Sequence, residues 1–268
     1  MDIIEVKQAE MVGAINRAEV DIQIATAKQY PRHLPTVLNQ IKTYATMDTE
    51  TAEDCFYALR RGSSGGDNSV IEGVSVRLAE IIAGAWGNLR VQTRIIGNDG
   101  KTITAQGICH DLETNLAVST EVKRRITTKE GRTFSEDMQV VTGNAAAAIA
   151  FRNAVLKVVP KAVTKKVVNE IKDVAMGKSI DLETRRQNMI AYYAKIGVTI
   201  EMLFEYLGVK ATEEIDSNMV FELSGLKNAI KEGTTTVAET FKKKETPEEK
   251  KTAMKKEGKG KNNVDNLP

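Results

Sequence analysis

Through the first sixty residues apolar side chains recur at spacings of three and four: Ile15, Val20, Ile22 and Ile24 give way to Leu34, Val37, Leu38, Ile41 and Tyr44. That period predicts helix. Pro31 and Pro35 interrupt it, so one helix is expected to stop near Tyr30 and another to begin near Pro35. Gly62-Ser63-Ser64-Gly65-Gly66-Asp67-Asn68-Ser69 then reads as a turn-forming, mobile loop. From Ile71 to Asn88, Val74, Leu78, Ile81, Ile82 and Ala85 return at helical spacing beside Trp86, which is expected to be core, and Gly87-Asn88 offers a C-cap. The stretch predicts one amphipathic helix.

The period then changes. Leu89–Ile96 and Lys101–His110 are β-rich and separated by Gly97-Asn98-Asp99-Gly100, which predicts a hairpin, and Asn115–Ile126 predicts a third strand. Alternation in that strand sends Val118, Val122 and Ile126 to one face and Ser119, Glu121, Lys123 and Arg125 to the other. Arg124 falls on the apolar side, where it must pair or reach out to water. Helical spacing resumes at Gly143 and breaks at Pro160, giving two helices or one sharply kinked helix on which Lys157, Lys161 and Lys165 stand four apart.

Between 181 and 241 three short amphipathic helices are expected, carried by Met189/Tyr192/Tyr193/Ile196, Ile200/Leu203/Phe204/Leu207 and Val220/Leu223/Leu226/Ile230. Lys242–Pro268 has hardly a bulky apolar residue and predicts a disordered, charged tail. The resulting fold class is α+β: a three- to four-stranded antiparallel sheet packed on helices, with a small C-terminal helical domain. Its expected divisions are an N-terminal helical segment (1–62), a sheet-plus-helix core (63–177), the helical domain (178–241) and the tail (242–268).

Composition narrows the function. The 268 residues contain no apolar run long enough for a membrane span, and the N-terminus MDIIEVKQAE lacks the basic and apolar regions of a signal peptide, so a cytoplasmic protein is expected. Cys55 and Cys109 are too few and too far apart for a disulfide framework or a metal knuckle, and predict buried or incidental thiols. The net charge is only +2, but it is unevenly spread. Residues 89–166 hold 13 Lys and Arg against 7 Asp and Glu, whereas 1–62 hold 7 against 9 and 178–241 hold 7 against 10. A basic island between acidic flanks is the electrostatic footprint of a polyanion partner.

Catalytic motifs are absent. The Gly-rich loop is followed by no Lys-Ser/Thr pair, which removes the phosphate cradle of nucleotide hydrolases, and neither HExxH nor GxSxG occurs. The acids Asp99, Asp111, Glu113, Glu136 and Asp137, with His110, are the only suspects for a metal-dependent nuclease, and no motif stands behind them. No catalytic residue, metal site or cofactor is expected, and the chain is read as a non-enzyme.

Gly65–Asn88 (GGDNSVIEGVSVRLAEIIAGAWGN) and Ala148–Pro160 (AIAFRNAVLKVVP), in their order around three strands, resemble the core of the single-strand annealing superfamily, which includes phage essential recombination function proteins and the eukaryotic mediator Rad fifty-two. The resemblance covers roughly residues 60–176. It departs from the family pattern at Asn153, where an aromatic is common, and at Pro160, near a usual Gly.

The resemblance implies an oligomeric ring or filament that binds single-stranded DNA and anneals complementary strands without ATP during phage-type recombination. Arg152 takes the position of a basic residue lining the family's inner DNA groove, and Lys157 lies close to a second. Added to the basic island, this gives thirteen candidate DNA contacts: Arg60, Arg61, Arg77, Lys123, Arg124, Arg125, Lys129, Arg132, Arg152, Lys157, Lys161, Lys165 and Lys166. Cations of the third strand and the Ala-rich helix are expected to converge, across neighbouring copies, into one trough. A phage exonuclease or a host single-strand-binding protein is the further partner expected, through the tail. A passive single-strand coat and a metal-dependent nuclease are the rival readings.

Overall fold

A computed structural model describes residues 3–61, 69–128, 130–176 and 181–241. The Gly-rich loop 62–68, Lys129 and the tail 242–268 lie outside the described residues. The architecture is α+β: two small antiparallel sheets packed with helices.

The chain opens with α1 (Ile3–Gln29), and Pro35 sits in the first turn of α2 (Leu34–Ala45), so the break falls at the proline pair. Val37, Ile41 and Ala45 on α2 are buried at the spacing of four that one helix face requires. After α3 (Thr49–Asp54), which Asp48 caps, comes β1 (Phe56–Arg61), paired antiparallel with β2 (Ser69–Val74). This ribbon corrects two expectations: residues 1–62 are not wholly helical, and the Ile71–Asn88 stretch is a strand followed by a helix. Ser75 makes the switch. Its buried hydroxyl accepts from the Leu78 N–H and donates to the Asp54 carbonyl, capping α4 (Val76–Trp86) where hydrophobic spacing alone runs straight through.

Gly87, at φ 64°, ends α4 and turns the chain into the three-stranded sheet β3 (Leu89–Asn98), β4 (Thr102–Asp111) and β5 (Leu116–Arg125), in that spatial order. On β4 burial alternates residue by residue: Ile103, Ala105, Gly107, Cys109 and Asp111 are buried, and the residues that alternate with them are half-buried. The covering element is α5 (Glu136–Val158), which begins seven residues before Gly143 because Ser135 caps it and Glu136 and Asp137 sit in its first turn. It lies close. A Cβ on Gly107 would stand 2.5 Å from the Ala150 carbonyl carbon, and the Thr120 hydroxyl donates to the Ala150 carbonyl at 3.1 Å.

Pro160, in extended conformation, stands immediately before α6 (Lys161–Ala175), so α5 and α6 are two helices, and α6 packs on α2 and α3. The remaining helices are α7 (Leu182–Lys195), α8 (Ile200–Leu207), α9 (Ser217–Lys231) and α10 (Val237–Thr240). Tyr193, Leu203, Val220, Leu223 and Leu226 form a second core among α7, α8 and α9. The same α9 also lies on β1, where a Cβ on Gly225 would stand 2.6 Å from the Ala58 nitrogen, and its Phe221 belongs to the first core. Behind it, buried Glu53 accepts from Arg185 and Ser224, while the Asn228 amide donates to the Glu53 and Phe56 carbonyls. The two cores are therefore stitched through a seam of buried side-chain hydrogen bonds. No helix among the described residues is long and apolar enough to cross a membrane.

Candidate nucleic-acid interface

Residues directly opposite one another in an antiparallel sheet share a face. The register pairs Arg90 with His110, Arg94 with Gln106, Lys123 with Thr104, and Arg125 with Thr102. All of these lie on the face away from α5. Their side chains are exposed or half-buried, and α1 only borders the β3 end, where the Arg90 guanidinium donates to Gln23 Oε1 at 3.2 Å. Arg94 is steadied by its Nε donating to Gln106 Oε1 at 2.9 Å.

The open face thus carries four cations, Arg90, Arg94, Lys123 and Arg125, against Glu121, set among Thr, Gln and Ser side chains with His110, Ile108 and Ala117. The two cationic strands flank β4, so their charges are separated by about 10 Å, two strand spacings. Asp99 borders this face at the hairpin turn. Hydrogen bonds from the Thr102 and Lys101 N–H groups and the Thr102 hydroxyl hold its carboxyl below the usual range, with the charge of Lys123 adding to them.

Of the thirteen expected contacts, Lys123 and Arg125 stand on this face, as alternation requires. Arg124 turns the other way. It is half-buried and donates to the Gly233 carbonyl, so its guanidinium serves the fold, and burial pulls its pKa below the ordinary arginine value. Arg152 is likewise corrected as a groove residue. It is 8% exposed, stacks 4.8 Å over the Tyr57 ring and lies 3.7 Å from Glu232, whose carboxyl burial pushes up even though the Val76 N–H and Arg152 oppose the shift. Within one chain Arg152 does not join the β5 cations, because α5 covers the face opposite to theirs.

Arg60 is also internal: it clasps the Glu222 carboxylate, donates to the Tyr206 carbonyl and stacks 4.9 Å over the Tyr206 ring. Arg77 is exposed but paired with Glu80 at 2.9 Å. Lys157 projects from α5 beside Ser119 and Glu121, at the free edge of β5, and Arg132 is exposed in the turn after that strand. Lys161, Lys165 and Lys166 are exposed on α6, away from the sheet. Lys129 and the Arg61 side chain lie outside the described residues.

Of the carboxylates suspected of nuclease chemistry, Asp99 is held in the hairpin turn, Glu136 and Asp137 stand in the first turn of α5, and the other two are engaged by Arg32. Asp111 receives two hydrogen bonds of 2.6 Å from Arg32, and Glu113 accepts from Arg32 Nε at 3.0 Å and from Asn88. Arg32 itself stacks 4.8 Å over the Trp86 ring. Among the described residues no group of three His, Cys, Asp or Glu is placed to hold a metal ion. Comparison of the chain with protein-family models, curated proteins and solved structures finds no match. Both thiols are buried, which pushes Cys55 up to about 12 and Cys109 up to about 11 and keeps them protonated.

Sequence reasoning missed Arg90 and Arg94. The signal was available: Arg90, Gln92 and Arg94 alternate with Leu89, Val91 and Thr93 by the same rule that placed Lys123 and Arg125. The Arg32 cluster was not legible, because its acids lie about eighty positions away along the chain.

Proposed function

We propose that the chain holds single-stranded DNA along the open face of the β3-β4-β5 sheet and anneals complementary strands without nucleotide. It would act as a homo-oligomer, in the cytoplasm, during recombination of the phage type. The observation that carries this is the uncovered sheet face with Arg90, Arg94, Lys123 and Arg125 at its two flanking strands. Such a face grips phosphates, which fixes a strand without reading its sequence.

What the face lacks matters as much. None of its side chains is Phe, Tyr or Trp, so bases would not be sequestered by stacking, as they are on aromatic single-strand platforms. A strand held by its backbone with free base edges is available for pairing. Two of the acids suspected of nuclease chemistry, Asp111 and Glu113, are already engaged by Arg32, which weakens that reading, and the similarity of Gly65–Asn88 and Ala148–Pro160 to annealing proteins points the same way as the charge.

A quenched-oligonucleotide annealing assay in EDTA, without nucleotide, tests this. Annealing faster than the spontaneous rate is expected; no acceleration rejects the reading, and inhibition would instead identify a passive coat.

A further inference from the structure

The first helix is apolar on two opposite sides. At about 100° per residue, Val20, Ile24 and Ala27 share one side, where they are half-buried or buried against the rest of the chain. Met11, Ile15, Ala18, Ile22 and Ala25 share the other, at spacings of 4, 3, 4 and 3. That second stripe lies in the open: Met11 is 59% exposed, Ile15 51% and Ile22 66%. A surface helix needs only one apolar stripe to pack on its own core. The 4-3 spacing of the exposed one is that of a seam between two helices.

We propose that this stripe pairs with the same stripe of a second copy, in antiparallel orientation, to form a two-fold dimer contact. The flanking charges select the partner and its direction. Centring the pair near residue 19 sets Ile15 opposite Ile22 of the second copy. On the flank turned away from the sheet it sets Arg17 opposite Asp21 and Glu10 opposite Lys28, each contact occurring twice by symmetry. All four charged residues are exposed. Glu19, near the two-fold axis, is the one charge that meets its like. A parallel pair sets Ala14 beside Glu19 and Asp21 beside Thr26, and gains none of these attractions. The overlap is about two heptads, so the contact is concentration-dependent. It joins copies along α1, which borders the open sheet face only at β3, and pairing needs no DNA.

The test is the mass of the full-length chain in DNA-free buffer, by light scattering across a dilution series. Wild type is expected to contain an even number of copies, and Ile15→Asp with Ile22→Asp to halve that number; an unchanged number overturns the pairing. Glu10→Lys and Lys28→Glu should each move the dissociation midpoint several-fold to higher concentration, and the double exchange should bring it back. On one helix these residues stand about 27 Å apart, so recovery has to come through a second copy; failure to recover overturns the antiparallel register. Under oxidation Ala18→Cys is expected to crosslink to itself and Met11→Cys is not, whereas self-crosslinking at Met11 overturns the antiparallel direction. Failure of the annealing assay alongside these results would leave the dimer contact standing, and the reverse holds equally.

Discussion

Arg32 ties the link between α1 and α2 to the end of the sheet through Asp111 and Glu113, with side-chain exposures of 9%, 4% and 17%. Removing one member of a buried ion pair leaves the others charged and unpaired, which costs roughly 3–5 kcal/mol. Arg32→Ala is therefore expected to lower stability by about that amount at pH 7, measured by urea unfolding. Burial pushes the Asp111 carboxyl up, but the Arg32 hydrogen bonds and the Glu113 N–H outweigh it and hold its pKa below the ordinary 3.8. A carboxylate whose pKa is lowered on folding contributes stability above its unfolded value, and that contribution is lost as the pH falls through the lowered one. The gap between wild type and Arg32→Ala should accordingly be full at neutrality and close in acid below about pH 4. A gap independent of pH would show that the cluster is held by packing on Trp86 rather than by charge.

At the scale of elements, the helices and the long hairpin were legible because their periods are local. α2, α7, α8 and α9, the Pro160 break and the Gly87 turn all fall where spacing and turn residues put them. The β1-β2 ribbon was not legible. Val70, Ile71 and Val74 fit a helix pattern as well as a strand, and their strand conformation comes from pairing with Phe56–Arg61, across a loop that contains no local signal for it. Close approaches between elements were hidden in the same way, since a lone glycine in a strand or a helix, such as Gly107 or Gly225, does not reveal which distant backbone packs on it. Each is where a backbone passes at contact distance. Gly107→Ala is expected to push α5 off the sheet and cost about 1–3 kcal/mol or more, as overpacking does, read as a lower urea midpoint with secondary structure retained by circular dichroism.

For the whole molecule, the two faces of the β3-β4-β5 sheet divide the work: α5, buried Arg152 and half-buried Arg124 on one, more open cations on the other. A residue that touches phosphate changes the salt dependence of binding, whereas one that supports the fold changes the melting temperature. Arg94→Ala, Lys123→Ala and Arg125→Ala together should reduce the slope of log K against log salt by about 2, at roughly 0.7 per phosphate contact on single strands, with little change in melting temperature. Arg152→Met should do the reverse, leaving the slope intact and lowering the melting temperature. Equal slopes for wild type and the triple variant would remove the open face as the binding surface.

The sequence by itself determined the α+β class, most helices, the hairpin register's polarity and the outward aim of Lys123 and Arg125, since each follows from a period of two or of 3.6 read over a few neighbours. It did not determine which arginines are free. Arg60, Arg124 and Arg152 look as available along the chain as Arg94 and Arg125, but each meets an acid, a carbonyl or an aromatic ring at least 95 residues away. The partner of a long charged side chain is set by how distant elements pack, and only the tertiary structure brings Glu222, Gly233 and Tyr57 within reach.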